Sequence, residues 1–368
     1  MLFDKVKRNF GFGCMRLEMK DDKVNLETFG KMVDTFMANG FNYFDTAHCY
    51  LDGKSEDALR ICLAEKYNRE DFVLANKLTH MYFNCEEDVV PFFESQLKLC
   101  GVDYFDVYFF HCMTKTTYPY HQKCNTFNIL QQLKKEGKIK YLALSFHSTA
   151  DFLDKILTEN PFVDFVQLQI NYLDYDDPFI QSKACYDVAV KHGKKVIVME
   201  PVKGGTLVNL PKPAAEIFDA LGGGSYASYA LRYAASYPEV EMVLSGMGNM
   251  DMMWDNINTF KDFKPLTSEE FEACDKAREA IKSFNQIACT GCDYCAAGCP
   301  KGIKISKIFA DYNKTVLSEI TCEEALENMK NEGMNPNECV GCGACAKECP
   351  QSLEIPSLLK KVYNKFNY

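Results

Sequence analysis

Residues 26–45, with the sequence LETFGKMVDTFMANGFNYFD, contain one full unit of the repeating pattern that indicates the fold class. Residues 26–39 carry apolar side chains at the spacing of a helix face. Residues 42–45 then form a short apolar run that ends in a charged residue, as a buried strand does where it enters a loop. The stretch therefore predicts an amphipathic helix followed by a strand.

The same alternation continues to about residue 260, with further amphipathic stretches at residues 55–65, 85–99 and 226–236. Eight strand-and-helix repeats favour an α/β fold of the (β/α)8 TIM barrel type over an open doubly wound sheet. The predicted strands are residues 10–13, 42–45, 72–77, 105–111, 139–145, 165–169, 195–200 and 241–245.

In such a barrel, chemistry collects at the carboxyl ends of the strands, where the strand-to-helix loops form the mouth. Polar residues also end strands simply because a loop begins there, so any single one carries little weight. Six occur together, which favours a functional site at this end. They are Asp45, Lys77, His111, Ser145, Gln167 and Glu200.

Cysteine is unusually frequent for a chain with no export signal. The chain has 18 cysteines among 368 residues, and its first residues lack the apolar stretch of a signal peptide. We therefore expect a cytoplasmic protein in which cysteine serves metal binding or redox chemistry rather than a disulfide framework.

Two runs near the C-terminus share the spacing Cys-x2-Cys-x2-Cys-x3-Cys-Pro, at residues 289–300 and 339–350. This is the run of bacterial two-cluster ferredoxins, in which three thiolates hold one [4Fe-4S] cluster and the fourth ligates the other. Two clusters with crossed ligand sets are therefore predicted. The first set is Cys289, Cys292, Cys295 and Cys349, and the second is Cys339, Cys342, Cys345 and Cys299.

Two zinc sites are the alternative, although four-cysteine zinc modules normally present two separated pairs. Helical patterns at residues 306–313 and 322–331 resemble the helical two-cluster ferredoxin modules of larger reductases. Residues 267–283 predict a charged helix that opens with the capping sequence Thr-Ser-Glu-Glu. We therefore predict a barrel at residues 1–264, a connecting helix at 265–285 and a mainly helical ferredoxin-like domain at 286–368.

Residues 42–50, NYFDTAHCY, closely resemble the motif of the aldo-keto reductase family in which an aspartate and a tyrosine lie five residues apart after the second strand. The next two predicted strands close with Lys77 and His111, where the family has its other two catalytic residues. The resemblance covers about the first 260 residues. It implies a catalytic tetrad of Tyr50, Asp45, Lys77 and His111.

These residue types suit the reduction of a small-molecule carbonyl substrate. The carbonyl oxygen gains alkoxide charge as hydride arrives, so it needs a proton donor and fixed dipoles. Tyr50 would donate the proton, the Lys77 ammonium would favour the phenolate, and Asp45 would hold Lys77 in place. A neutral His111 imidazole would donate a hydrogen bond to the substrate oxygen and could relay a proton.

The resemblance also implies a site for NAD(H) or NADP(H). Ser145 and Gln167 would bind the carboxamide, and Met199 would stack on the nicotinamide, where better-known members have an aromatic residue. Residues 244–252 align with the 2′-phosphate site but contain neither Lys nor Arg, so we expect NADH to be preferred. Further dinucleotide contacts are implied for Met15, Pro201, Gly204, Gly246, Asp255 and Asn256.

Three functions stay open. The clusters could transfer electrons in a nicotinamide-dependent carbonyl reductase, link a ferredoxin or flavoprotein partner to a barrel-bound substrate, or serve structure alone. No flavin motif is present, but barrels bind flavin without short signatures, so a flavin stays open too. A net charge of -10 disfavours nucleic acid as a partner, and the lack of any apolar run of eighteen residues disfavours a membrane.

Overall fold

The computed structural model describes residues 5–366, and its N-terminal part is a closed barrel of eight parallel strands. Each strand pairs with the next along the chain, and the last pairs with the first. The predicted (β/α)8 barrel is therefore confirmed, and every predicted strand overlaps an observed one. The strands are β1 Phe10–Gly13, β2 Tyr43–Asp45, β3 Val73–Leu78, β4 Phe105–Met113, β5 Ile139–Phe146, β6 Phe165–Gln169, β7 Lys195–Met199 and β8 Val240–Gly246.

Helices follow the strands and continue into the C-terminal region. The predicted capping box is present, because the Thr267 side chain accepts from the Glu270 N–H and the Glu270 carboxylate accepts from the Thr267 N–H. The helices are α1 Leu26–Ala38, α2 Lys54–Leu59, α3 Glu86–Cys100, α4 Thr117–Lys123, α5 Thr126–Lys135, α6 Ala150–Glu159, α7 Ser182–Lys191, α8 Lys212–Asp219, α9 Tyr226–Ala235, α10 Met250–Lys261, α11 Ser268–Lys282, α12 Tyr294–Ala297, α13 Ile305–Val316, α14 Cys322–Asn331, α15 Ala344–Lys347 and α16 Ile355–Phe366. Within residues 5–366, none of these helices has the length and apolar character needed to cross a bilayer.

The barrel interior is filled by side chains from several strands. Val107 and Phe109 of β4 pack there with Tyr43 of β2 and Leu244 of β8. A Cβ atom added to Gly11 of β1 would lie 2.7 Å from both the Tyr43 ring and the Leu244 side chain. Glycine at this position therefore leaves the space that its larger neighbours occupy, as close packing of a core requires.

The chain divides into two compact units, one made of Met1–Pro201 with Ala227–Leu266 and the other of Val202–Tyr226 with Thr267–Tyr368. The first unit contains the barrel. The second contains the cysteine-rich region, and it also takes in the segment with α8 that follows β7. The sequence-based division differs, because it places the whole of residues 1–264, and so the segment with α8, in the barrel domain. That division, with its separate connecting helix at 265–285, stays a prediction.

The second unit has a hydrophobic core of its own. Helices α13, α14 and α16 supply most of it, with Ile308, Phe309, Met329, Leu359 and Val362 among the buried side chains. Two motif cysteines, Cys295 and Cys345, belong to this core, and four others pack against it, namely Cys289, Cys299, Cys339 and Cys349. The predicted mainly helical character of the C-terminal region is confirmed.

Candidate active site and candidate cluster sites

Asp45 and Lys77 form a buried ion pair at the carboxyl ends of β2 and β3, which pair in parallel. The Lys77 Nζ donates to Asp45 Oδ1 at 2.5 Å and to the Thr46 backbone oxygen at 2.7 Å. Lys77 is only 1% exposed, so each charge depends on the other for compensation. Burial raises the pKa of the Asp45 carboxyl, and the Lys77 charge opposes that rise.

Tyr50 lies in the loop after β2, beside this ion pair. The Lys77 Nζ lies 4.8 Å from the centroid of the Tyr50 ring. Tyr50 is half-buried, so it can be reached from solvent, whereas Lys77 cannot. A cation held beside a phenol favours the phenolate and eases the release of its proton. The structure thus brings together three of the four residues that the motif predicts.

His111, in β4, completes this group. Its ring centroid lies 6.2 Å from that of Tyr50, with the two ring planes at 81°. His111 is 2% exposed. Burial, followed by the nearby Lys77 charge, lowers the pKa of His111 well below its ordinary value. The imidazole is therefore neutral at neutral pH, as a hydrogen-bond donor to a carbonyl oxygen can be.

Thr79 is a site residue that the sequence analysis did not single out. Its Oγ1 lies 2.7 Å from His111 Nδ1, and the residue is 1% exposed. A hydroxyl both donates and accepts, so it can pair with either imidazole tautomer. When the Thr79 hydroxyl donates to Nδ1, the His111 proton resides on Nε2, and Nε2 is then the donor of the ring.

Replacing Thr79 with Val keeps the side-chain shape but removes the hydroxyl that pairs with His111 Nδ1. We expect kcat for carbonyl reduction to fall about tenfold, because His111 Nδ1 loses the hydroxyl at 2.7 Å and keeps Cys49 Sγ at 4.0 Å, a weaker partner that selects the tautomer less firmly. Steady-state kinetics of Thr79→Val and Thr79→Ser test this, since serine retains the hydroxyl and should stay close to wild type. Equal kcat values for wild type and Thr79→Val would contradict the assignment.

A second network missed by the sequence analysis lies behind the Tyr50 loop. Glu56 is fully buried and accepts from Asn76 Nδ2 at 2.7 Å and from Gln96 Nε2 at 3.1 Å. His48 Nδ1 lies 2.6 Å from the other Glu56 oxygen, and this hydrogen bond raises the pKa of His48. The network ties the Tyr50 loop to β3, which carries Lys77. Its one sequence signal is the position of His48 inside the motif at residues 42–50.

The residues predicted to contact the nicotinamide lie at the ends of β5, β6 and β7. Ser145 and Gln167 are register partners on β5 and β6, and both are buried. The Ser145 hydroxyl lies 3.4 Å from His147 Nε2, and burial lowers the pKa of His147 to about 4. Met15, after β1, and Met199, at the end of β7, are half-buried, and Pro201 is buried. Binding of the nicotinamide by Ser145, Gln167 and Met199, and of the dinucleotide by Met15 and Pro201, stays a prediction.

At the end of β8, the structure adds a cation to the predicted adenosine region. A Cβ atom on Gly246 would lie 3.7 Å from the Cβ, Cγ and Cδ atoms of Arg16, which is exposed. Pairing of β1 with β8 brings this arginine beside residues 244–252, which have no Lys or Arg of their own. Asn256 donates from Nδ2 to Ser245 Oγ at 2.9 Å and is held against the same strand end, while Asp255 is half-buried.

The eight motif cysteines line two cavities, in the sets that the spacing predicts. None of the eight forms a disulfide. No three His, Cys, Asp or Glu residues within 5–366 converge closely enough to hold a single metal ion. The four thiols of each set are instead spread around the wall of a cavity. One cavity is lined by Cys289, Cys292, Cys295 and Cys349, and the other by Cys299, Cys339, Cys342 and Cys345.

The two motifs also share a backbone conformation. Gly291 and Gly341 have φ values of 66° and 69°, and Asp293 and Gly343 have values of 61° and 74°. Left-handed residues in such turns direct neighbouring N–H groups to one side and create a concave surface suited to an anion, as at many iron-sulfur sites. Four thiolate donors around each cavity and this backbone fit an iron-sulfur cluster.

Comparison with known proteins agrees with both parts of the chain. The sequence profile of the Aldo/keto reductase family matches residues 9–279, and that of a 4Fe-4S dicluster domain matches residues 288–354. The uncharacterized oxidoreductase YqkF of Bacillus subtilis (strain 168) is 22% identical over 296 residues, covering 72% of this chain and 90% of the relative. Aldo-keto reductase str7 of Strobilurus tenacellus is 31% identical over 184 residues, covering 48% of this chain and 51% of the relative.

Solved structures share the barrel fold. The holo form of aldo-keto reductase AKR11C1 from Bacillus halodurans has a TM-score of 0.59 and 23% identity, over 73% of this chain and 91% of that one. An aldo/keto reductase from Klebsiella pneumoniae, solved in complex with NADP and acetate, has a TM-score of 0.59 and 18% identity, over 73% of this chain and 90% of that one. Both cover about the length of the barrel region.

Proposed function

Because the chain belongs to the aldo/keto reductase family and carries a C-terminal 4Fe-4S dicluster domain, we propose that it is a nicotinamide-dependent carbonyl reductase with two [4Fe-4S] clusters. One observation carries the reductase part of this proposal. The buried Asp45–Lys77 pair lies beside the half-buried ring of Tyr50, and a neutral His111 flanks the same ring. This is the set of groups that protonation of a nascent alkoxide needs.

In this proposal each residue has one task. Tyr50 donates its proton to the carbonyl oxygen, and the Lys77 ammonium stabilises the phenolate that is left. Asp45 keeps Lys77 charged and positioned, since an isolated ammonium would be costly at that depth. His111 donates a hydrogen bond that orients the carbonyl and stabilises its developing charge. A bound nicotinamide would supply the hydride, and Ser145, Gln167 and Met199 are the residues proposed to hold its ring.

We further propose NADH as the preferred donor, and the structure provides a direct test through Arg16. The kcat/KM with NADH should exceed that with NADPH, since residues 244–252 contain no Lys or Arg and the nearby Arg16 is exposed, where solvent screens its charge. Arg16→Gln should lower kcat/KM with NADPH about tenfold more than with NADH, because the Arg16 side chain lies beside that segment. Lys20→Gln, a change on the exposed hairpin that follows β1, is the matched control. A clear preference of the wild type for NADPH would contradict the proposal.

An electron-transfer role is the second candidate, and the exposure of the second cysteine motif favours it. Cys342 is exposed and the neighbouring Val340 is 60% exposed, so a cluster there would lie close to solvent and could exchange electrons with a ferredoxin or flavoprotein. Hydride delivers two electrons together, whereas each cluster normally exchanges one, so a direct link would need a flavin or a stepwise relay.

Anaerobic addition of NADH without substrate separates the two candidates. Bleaching of the visible cluster absorption, with an EPR signal of reduced clusters, would show that nicotinamide and clusters exchange electrons. Unchanged spectra, with clusters that dithionite still reduces, would favour a self-contained carbonyl reductase. In either case we propose a reducing, cytoplasmic setting, in keeping with cysteines that form no disulfide within residues 5–366.

A further inference from the structure

The turn Lys203–Gly205, which follows β7, groups with the second compact unit. Lys203 is 2% exposed, and its Nζ donates to Gln351 Oε1 at 2.9 Å across a separation of 148 residues. Gln351 is itself 6% exposed and lines the same cavity as Cys289, Cys292, Cys295 and Cys349. A buried amine therefore lies one side chain away from the first cluster cavity.

The same turn also contacts the chain segment that supplies the other three thiols of that set. A Cβ atom on Gly204 would lie 2.4 Å from the Thr290 carbonyl oxygen and 2.8 Å from Thr290 Cα, so only glycine allows this approach. Thr290 follows Cys289, and Gln351 lies two residues after Cys349. The turn thus contacts both chain segments that supply thiols to the first cavity. The contact with Thr290 also explains why position 204 is glycine, without requiring the dinucleotide contact that the family resemblance implies for Gly204.

The two motifs are alike in backbone but differ at the positions that this turn contacts. Thr290 is 4% exposed, whereas its counterpart Val340 in the second motif is 60% exposed. Gln351 is buried, whereas its counterpart Lys301 is exposed. The asymmetry between two similar motifs therefore coincides with the presence of the turn on one of them.

We propose that the positive charge of Lys203 raises the reduction potential of the first cluster above that of the second. The inference rests on the two clusters of the proposed function. A cluster held by four thiolates is anionic, and its potential depends on nearby charge, hydrogen bonds and solvent exposure. A cation fixed in a poorly solvated place stabilises the added electron more than an exposed one does, because solvent screens the exposed charge.

The test is an anaerobic redox titration of the full-length holoprotein, followed by EPR, after iron and sulfide analysis has shown that two clusters are present. Lys203→Met should shift one of the two midpoint potentials downward and leave the other in place. Lys203→Arg, which retains the charge, should stay close to wild type. Lys301→Met, at the exposed counterpart position, is the matched control and should cause a smaller shift, confined to the other midpoint.

Two unchanged midpoints in an iron-replete Lys203→Met protein would overturn the inference, as would equal shifts of both. If that variant loses iron, Lys203→Gln provides the same test, because its amide can still donate to Gln351 while carrying no charge. A wild-type protein without two clusters would instead refute the proposed function, so the two failures are distinguishable.

Discussion

Tyr50→Phe is expected to lower kcat for carbonyl reduction about 10²- to 10⁴-fold, the range typical for loss of a general acid. Phenylalanine keeps the ring next to the Lys77 ammonium but removes the hydroxyl that would donate the proton. The alkoxide would then have to take its proton from water. Single-turnover measurements with saturating nicotinamide report the chemical step directly.

Tyr104→Phe is the matched control for this experiment. Tyr104 directly precedes β4, at the opposite end of the barrel from the candidate site, and its hydroxyl donates to Glu70 at 3.0 Å. The same chemical change there should leave kcat near wild type. Reduction of the clusters by dithionite should be normal in both variants, since neither touches a cysteine motif. Full carbonyl reductase activity in Tyr50→Phe would refute the proposed mechanism.

Cys295→Ala is expected to remove about half of the iron and acid-labile sulfide, because Cys295 belongs to only one of the two thiol sets. Cys295 is 8% exposed and packs within the core of the second unit, so loss of its cluster should also lower the thermal stability of that unit. Iron and sulfide analysis with EPR spin quantitation measures the first effect, and calorimetry measures the second.

Cys322→Ala is the control for this prediction. Cys322 is the exposed first residue of α14 and belongs to neither motif, so its replacement should leave iron content and stability unchanged. Loss of all iron from Cys295→Ala would indicate that the two clusters assemble only together. Full iron content in that variant would refute the ligand set.

Much of the site could be predicted from the sequence, because its signals are local. The spacing of the cysteines within each motif sets which thiols can reach one cluster, and the structure groups them around two cavities in the predicted sets. Likewise, Asp45, Lys77 and His111 lie at the ends of successive strands, and parallel pairing brings such positions to one end of a barrel. The regular repeat of short apolar runs along the sequence is enough to indicate that successive strands pair in parallel.

Local patterns therefore suffice to predict the barrel, the two cysteine sets and the candidate catalytic group, since periodicity and short spacing can be read without knowing how the rest of the chain folds. The distant residues that surround them become known from the folded structure. Thr79 pairs with His111, Arg16 lies beside Gly246, and Lys203 reaches Gln351 across 148 residues. Such contacts cannot be read from the sequence, because they depend on how the chain folds. They also depend on which polar groups become buried and therefore require a hydrogen-bond partner.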